Sequence, residues 1–165
     1  MKKLIFVRHG KAEEESPEIS DFERSLTLKG KAISRLMAHR LIEKEKSPGI
    51  ILTSPAFRAL ETAIIFAGEY GIKADDVVMN NIMYTRMSLQ NLPSLLSAIK
   101  EEVETVTLFG HNPSFTDIAN SLSKEGCDFI PKSGVVCLSF KVMTWSGIDR
   151  NIGKLEYLLK PEKML

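Results

Sequence analysis

Short apolar runs alternate along this chain with longer amphipathic segments, and this alternation constrains the fold more than any other sequence feature. Four runs of strand length occur, at Leu4–Val7, Ile50–Thr53, the "DVVM" of residues 76–79, and Thr105–Phe109. Short, continuous apolar runs are typical of strands that are covered on both faces. The sequence therefore predicts a sheet with packing layers above and below it.

The segments between these runs have the apolar spacing of helices. The first predicted helix begins after a Thr27 cap and runs to about Glu45. Two others are predicted to open with a cap followed by a proline, at Ser54-Pro55 and at Asn112-Pro113. Residues 89–103 are expected to be helical as well, with Pro93 in the first turn.

The last third of the chain has a different pattern. Two segments of strand length, "GVVCLSFKV" and "KLEYLL", flank the turn-rich "SGIDRNIG", which predicts a hairpin at one edge of the sheet. Strands that alternate with helices elsewhere imply parallel pairing. We therefore predict a three-layer α/β fold: a mostly parallel central sheet, helices on both faces, and an antiparallel hairpin near the C-terminus. A chain of 165 residues fits a single domain over residues 1–165.

Composition excludes several classes of function. The formal net charge is +1, and the basic residues are scattered, so the chain has no footprint for nucleic acid. No apolar run approaches the ~20 residues of a membrane span, and the run at Leu4–Val7 is shorter than the ~7 residues of a signal-peptide core. Two cysteines without CxxC spacing suggest no metal or redox site. These features predict a cytoplasmic protein that does not bind membranes.

Charged and polar residues follow three of the predicted strands directly. Arg8-His9-Gly10 follows the first strand, Arg58 lies in the first turn after the second, and His111-Asn112 follows the fourth. Ligands of parallel sheets bind beyond the carboxyl ends of the strands. Arginine grips two anion oxygens at once, and helix N-termini favour anions. Gly10 has no Cβ and would let the chain come close to a bound group. The pattern predicts a pocket for a phosphoryl group.

The motifs "VRHG", "TSPAFRALETA" and "FGHNP" together resemble the signature of the histidine phosphatase superfamily, whose fold is that of phosphoglycerate mutase. The short chain and the "RSLTLKG" segment are most similar to its SixA-type phosphohistidine phosphatases. The resemblance implies that His9 is the nucleophile, that Arg8 and Arg58 hold the phosphoryl oxygens, and that His111 is the second histidine facing them. No metal or other cofactor is implied.

Three further residues are expected on the substrate side of this pocket: Gly10, Asn112 and Arg24. Arg24 occupies the "RSLT" position that lies near the pocket in relatives, although a plain salt bridge within its loop is an equally good interpretation. His9 must be neutral to attack phosphorus, and the adjacent arginines should lower its pKa from about 6.5. Glu61 is expected to orient Arg58.

The sequence departs from the superfamily pattern in one respect. Many members carry a glutamate after the third strand that protonates the leaving oxygen, but no carboxylate occurs here between Asp76 and Glu101. Loss of a general acid costs roughly 10²–10⁴ in rate with an alkoxide leaving group, whereas imidazole is protonated near neutral pH without help. Asp75, Asp76 or the glutamates at 13–15 remain possible substitutes.

These features predict a metal-independent phosphatase that hydrolyses phosphohistidine on a protein, of the phosphotransfer-domain type, through a phospho-His9 intermediate. The alternative is a general phosphomonoesterase acting on small metabolites or phosphoproteins. A third interpretation is a non-catalytic phosphate-sensing domain, which would bind phosphate through Arg8 and Arg58 without forming a phosphoenzyme. The expected partner is thus a phosphorylated protein or a small phosphorylated substrate.

Overall fold

Four parallel strands form most of the sheet, and two antiparallel strands extend it at one edge. In the computed structural model, which describes residues 1–162, the strand order is β3-β2-β4-β1-β5-β6. Strand β5 runs antiparallel to β1, and β6 runs antiparallel to β5. This arrangement confirms the predicted fold and hairpin. The strands are β1 (Lys2–Arg8), β2 (Ile50–Thr53), β3 (Val78–Met79), β4 (Thr105–Gly110), β5 (Val135–Phe140) and β6 (Lys154–Leu159).

Helices cover both faces of the sheet because successive side chains of its central strand point to opposite sides. Leu4 and Phe6 of β1 pack with one apolar cluster, which includes residues of α4 and α5. Ile5 and Val7 pack with the other cluster, formed with α1 and α2. No helix among residues 1–162 is long and apolar enough to cross a membrane. The helices are α1 (Leu28–Lys44), α2 (Phe57–Glu69), α3 (Ile82–Thr85), α4 (Leu92–Leu96) and α5 (Ser114–Leu122).

The helix starts differ from those predicted, except at α1, where Thr27 accepts a hydrogen bond from the Gly30 amide as expected. Helix α2 begins only at Phe57, with Ala56 as its N-cap, so the prediction of a Ser54 cap was wrong. Helix α5 begins at Ser114, one residue later than predicted. Residues 89–103 are helical only in part, as a 3-10 turn at 89–91 followed by α4.

The parallel strands bring their carboxyl ends to one edge of the sheet. Arg8 at the end of β1 pairs in register with Gly110 at the end of β4. Thr53 at the end of β2 pairs with Phe109 of β4. Residues that follow these three strands, although up to about a hundred positions apart in the sequence, therefore meet at this edge.

Candidate active site

Two histidines face each other at the carboxyl edge of the sheet. His9 follows β1 and His111 follows β4, and the register of these strands places them side by side. Their ring centroids are 5.1 Å apart and the rings are inclined by 56°. Only 8% of the surface of His9 is exposed. The structure thus brings together the two histidines that the sequence singled out.

The imidazole of His9 is held as a neutral ring with a defined tautomer. Its Nδ1 lies 2.8 Å from the Gly10 carbonyl oxygen. A carbonyl oxygen only accepts hydrogen bonds, so Nδ1 carries the proton and Nε2 keeps its lone pair. Burial is the main cause that lowers the pKa of His9 to about 3. The hydrogen bond with Gly10 raises this pKa, whereas the charges of His111, Arg58 and Arg8 lower it further. The expected direction is confirmed, but burial contributes more than the arginines.

His111 is fixed by a partner that the sequence did not indicate. Its Nε2 lies 2.8 Å from the Ser54 hydroxyl oxygen, while its Nδ1 is buried and has no hydrogen-bond partner in the described part of the chain, residues 1–162. Burial and the charge of Arg58 lower the pKa of His111 to about 4. The Tyr84 ring packs edge-on against it, with centroids 5.7 Å apart. Ser54 therefore positions the second histidine, and its hydroxyl oxygen also accepts from the amide of Ala56, the N-cap residue of α2, at 3.2 Å.

Both predicted arginines enter this pocket. Arg58, in the first turn of α2, is 7% exposed; its Nη1 donates to the Asp21 carbonyl oxygen at 2.7 Å and its Nη2 to Asp21 Oδ2 at 3.2 Å. Arg8 donates from Nη1 to the Ile130 carbonyl oxygen at 3.1 Å. The Nε atoms of both arginines are buried without partners among residues 1–162. Buried donors without acceptors are costly, and a tetrahedral oxyanion would supply the missing acceptors.

Asp21 and Tyr84 are site residues that the sequence reasoning missed. Asp21 Oδ2 accepts hydrogen bonds from Tyr84 at 2.7 Å and from Arg58, and its Oδ1 accepts one from Arg24 at 3.1 Å. Burial raises the pKa of Asp21, but the hydrogen bonds from Tyr84 and Arg24 and the charge of Arg58 outweigh it and lower the pKa overall. Asp21 is therefore ionised at neutral pH. The only signal for it was its position three residues before Arg24.

Arg24 reaches the pocket only through Asp21. Its Nε donates to the Glu13 carbonyl oxygen at 2.6 Å, and its Nη1 forms the ion pair with Asp21. Both interpretations of Arg24 thus hold in part, because the salt bridge lies within its loop yet ends on a residue that contacts Arg58.

Gly10 is required for packing at the end of β1. Its amide donates to the Thr62 hydroxyl at 3.1 Å. A Cβ at this position would lie 2.7 Å from Ser34 Oγ and 3.1 Å from the Gly30 carbonyl oxygen, both on α1. The N–H group of Gly10 is thus engaged within the protein, and its closeness to a bound group stays a prediction.

The side-chain amide of Asn112 is also engaged within the protein. It donates from Nδ2 to the Ile130 carbonyl oxygen at 2.8 Å and accepts from the Thr116 amide at 3.2 Å. The Ile130 carbonyl therefore binds both Asn112 and Arg8. Asn112 lies beside His111, where it ties the start of α5 to the segment that holds Arg8.

Two of the carboxylates considered as proton donors lie away from the pocket. Asp75 and Asp76 form a 3-10 turn before β3, at the amino edge of the sheet, opposite the site. Glu61 accepts from the Leu26 amide at 3.3 Å and lies 3.9 Å from Lys31, so the expectation that it orients Arg58 was wrong. Glu15 is near the pocket, since its charge contributes, after the hydrogen bond to Asp21 and burial, to the raised pKa of Tyr84.

Chemically, the site combines a neutral imidazole that has a free lone pair with two buried guanidinium groups. Such a set can bind a small tetrahedral anion and attack it from one side. Within residues 1–162, no three His, Cys, Asp or Glu side chains are grouped so that they could hold a metal ion.

Known proteins resemble this chain in part of its sequence and in its fold. Residues 4–79 match the histidine phosphatase superfamily (branch 1). An uncharacterized protein of Picosynechococcus sp. is 42% identical over 69 residues, and this match spans 41% of the chain and only 42% of that relative.

Solved structures extend the likeness to almost the whole chain. A SixA protein from Agrobacterium tumefaciens is 26% identical, with a TM-score of 0.78 over 97% of this chain and 98% of that one. The protein histidine phosphatase SixA complexed with tungstate has the same TM-score at 20% identity, over 96% and 97% of the two chains, which shows the common fold. The first half of the chain thus matches the histidine phosphatase superfamily, and nearly the whole chain shares its fold with SixA proteins.

Proposed function

We propose that this protein is a phosphatase that hydrolyses its substrate through a phosphohistidine formed on Nε2 of His9. The observation that carries the proposal is the state of His9: a buried, neutral ring whose Nδ1 proton is held by the Gly10 carbonyl. This state leaves Nε2 free to attack. Arg8 and Arg58 lie close enough to His9 for their charges to lower its pKa. A phosphoryl group needs such positive charge around its oxygens during transfer.

The reaction has two displacements at phosphorus. In the first, the Nε2 lone pair of His9 forms the N–P bond while the bond to the leaving group breaks, and the leaving group keeps that electron pair and takes up a proton. In the second, water attacks phosphorus, its proton is released, and Nε2 recovers its lone pair. Arg8 and Arg58 stabilise the charge on the equatorial oxygens in both steps. His111 faces the same oxygens, and a phosphoryl dianion would raise its pKa and favour its protonated form.

We infer further that the substrate is phosphohistidine on a protein. An alkoxide leaving group needs a proton donor, and Asp21, which contacts Arg58 directly, is ionised and unsuited to that task. Asp75 and Asp76 lie at the opposite edge of the sheet. An imidazole leaving group takes its proton from solvent near neutral pH. The likeness to SixA proteins, one of them described as a protein histidine phosphatase, supports the same substrate class.

The test uses a histidine-containing phosphotransfer domain phosphorylated on its histidine. We expect the wild-type protein to release its phosphate in the presence of EDTA, and His9→Ala to be inactive. His39→Ala is the matched control, because His39 lies on α1 and pairs with Glu69 on the surface. Equal activity of the His9→Ala variant would refute the covalent mechanism. Rapid turnover of p-nitrophenyl phosphate with an inert phosphohistidine domain would instead support the phosphomonoesterase alternative.

A further inference from the structure

A groove runs from the catalytic edge across the surface of the protein. It begins at His111 and Tyr84 and continues between the segment 83–90 and helix α5 as far as Arg150. Its volume is about 530 Å³. A second depression of about 230 Å³ shares Leu89, Gln90 and Arg150 with it, so the two form one continuous surface. A substrate whose phosphoryl group contacts His9 would extend its leaving group towards this groove.

Two arginines line the groove without a partner of their own. Arg86 and Arg150 are exposed, and within residues 1–162 neither guanidinium group has a hydrogen bond or an ion pair. Asp117 lines the same groove and Asp149 lines the depression that continues it; among residues 1–162 neither carboxylate forms an ion pair with Arg86 or Arg150. In the groove itself the two arginines outnumber the single carboxylate, and the pocket next to it holds the charges of Arg8 and Arg58. A charged surface favours binding partners that carry the opposite charge.

We propose that this groove binds the polypeptide that flanks the phosphorylated residue of the substrate, and that Arg86 and Arg150 select acidic side chains there. The inference rests on the proposed function, since it assigns a binding surface to the same reaction. The size of the groove favours a polypeptide, because a phosphoryl group with its imidazole would occupy only the end next to His111. The continuation past Arg150 into a depression lined by Leu92 and Trp145 offers apolar contact to a longer segment.

The test compares two peptides that carry phosphohistidine at the same position. One has aspartate and glutamate on both sides of the phosphorylated residue, and the other has lysine at those positions. We expect the wild-type protein to prefer the acidic peptide by roughly tenfold in kcat/KM at low salt. Each ion pair between a groove arginine and an acidic side chain of the peptide is exposed and therefore raises kcat/KM only by a small factor. In the double variant Arg86→Gln/Arg150→Gln the preference should fall to about twofold or less. Because the preference is a ratio measured on one sample, it does not depend on the fraction of folded protein.

Lys141→Gln is the matched control. Lys141 is exposed and directly follows β5 at the amino edge of the sheet, so its loss should leave the preference unchanged. Measurable turnover without a preference in the wild type, or a full preference in the double variant, would overturn the inference and leave the proposed function intact. No turnover of either peptide or of the phosphorylated domain would refute the proposed function, and the inference with it.

Discussion

Replacing Asp21 with asparagine should strengthen the binding of inorganic phosphate to the site. The carboxylate of Asp21 lies 3.2 Å from Arg58 Nη2 and competes with a phosphoryl group for the charge of that guanidinium. Asparagine has the same shape and keeps an acceptor oxygen for Tyr84. The Asp21 backbone carbonyl, which accepts from Arg58 Nη1 at 2.7 Å, is unchanged, so Arg58 should stay in place. The substitution therefore removes a negative charge, and with its oxygen kept towards Tyr84 it also removes the acceptor of Arg24 Nη1.

The size of the effect follows from the distance between the two anions. A phosphate bound to the opposite side of the Arg58 guanidinium would lie about 7 Å from the Asp21 carboxylate, where two unit charges repel by about 2.4 kcal/mol at an effective dielectric constant of 20 and about 0.6 kcal/mol in water. The Asp21 side chain is 38% exposed, which places the repulsion towards the lower value. We expect about 1 kcal/mol, or roughly fivefold tighter binding.

Inorganic phosphate serves as the probe, measured as a competitive inhibitor of turnover and by calorimetry. The gain in Asp21→Asn should shrink as the salt concentration rises from about 0.05 to 0.5 M, because the repelling charges are partly exposed to solvent. Asp76→Asn is the control, since Asp76 is exposed at the opposite edge of the sheet. Unchanged or weaker phosphate binding in Asp21→Asn would refute this reasoning and would mean that the carboxylate is needed to hold Arg58 in position.

Two other predictions concern stability. Gly10→Ala places a Cβ 2.7 Å from Ser34 Oγ and 3.1 Å from the Gly30 carbonyl, so it should lower the free energy of unfolding by about 1–3 kcal/mol; an unchanged urea midpoint would contradict this. The pKa values of His9 and His111, about 3 and about 4 in the folded state, lie below the ordinary 6.5. The unfolded chain therefore binds more protons below pH 6.5, and stability should fall as the pH drops from 6.5 towards about 4. Lowering the pH from 7.5 to 5 should reduce the free energy of unfolding by about 4 kcal/mol through these two histidines. A His9→Asn/His111→Asn variant should lack this reduction in urea titrations at the two pH values. Equal reductions in both proteins would contradict the assignment.

The sequence was sufficient to predict the sheet and the meeting of the four central residues at one edge of it, because both depend on local pattern. Apolar runs of strand length mark the strands, and the rule for parallel sheets brings the residues after them to one edge. Three of these residues lie at the ends of their strands: Arg8, His9 and His111. The positions of the strands therefore largely fix the positions of these residues. Arg58 follows at a fixed distance from β2, in the first turn of the next helix.

The partners of these residues could not be predicted, because they come from loops whose path is set by tertiary contacts. Asp21 lies in a polar segment that carries several other carboxylates, and nothing in its neighbours distinguishes it from Glu13 to Glu15. Ser54 was assigned to a helix start by a rule that concerns adjacent residues. Its hydroxyl instead binds His111, 57 positions later in the chain. Glu61 was expected to pair with Arg58 because the two residues are close in sequence. The carboxylate of Glu61 instead contacts Leu26 and Lys31.

Backbone carbonyl groups hold three of the four central side chains, and this choice of partner explains how the pocket stays cationic. The Gly10 carbonyl fixes His9, the Ile130 carbonyl fixes Arg8, and the Asp21 carbonyl fixes one nitrogen of Arg58. A carbonyl orients a donor without adding a full negative charge, whereas a carboxylate would orient it and cancel part of the field that binds a phosphoryl group. The side chain of Asp21 is the exception, and its partial exposure limits how much of the Arg58 charge it neutralises. The alignment of His9 and the guanidinium groups is thus set largely by the backbone, and the charge of the pocket remains available to a bound anion.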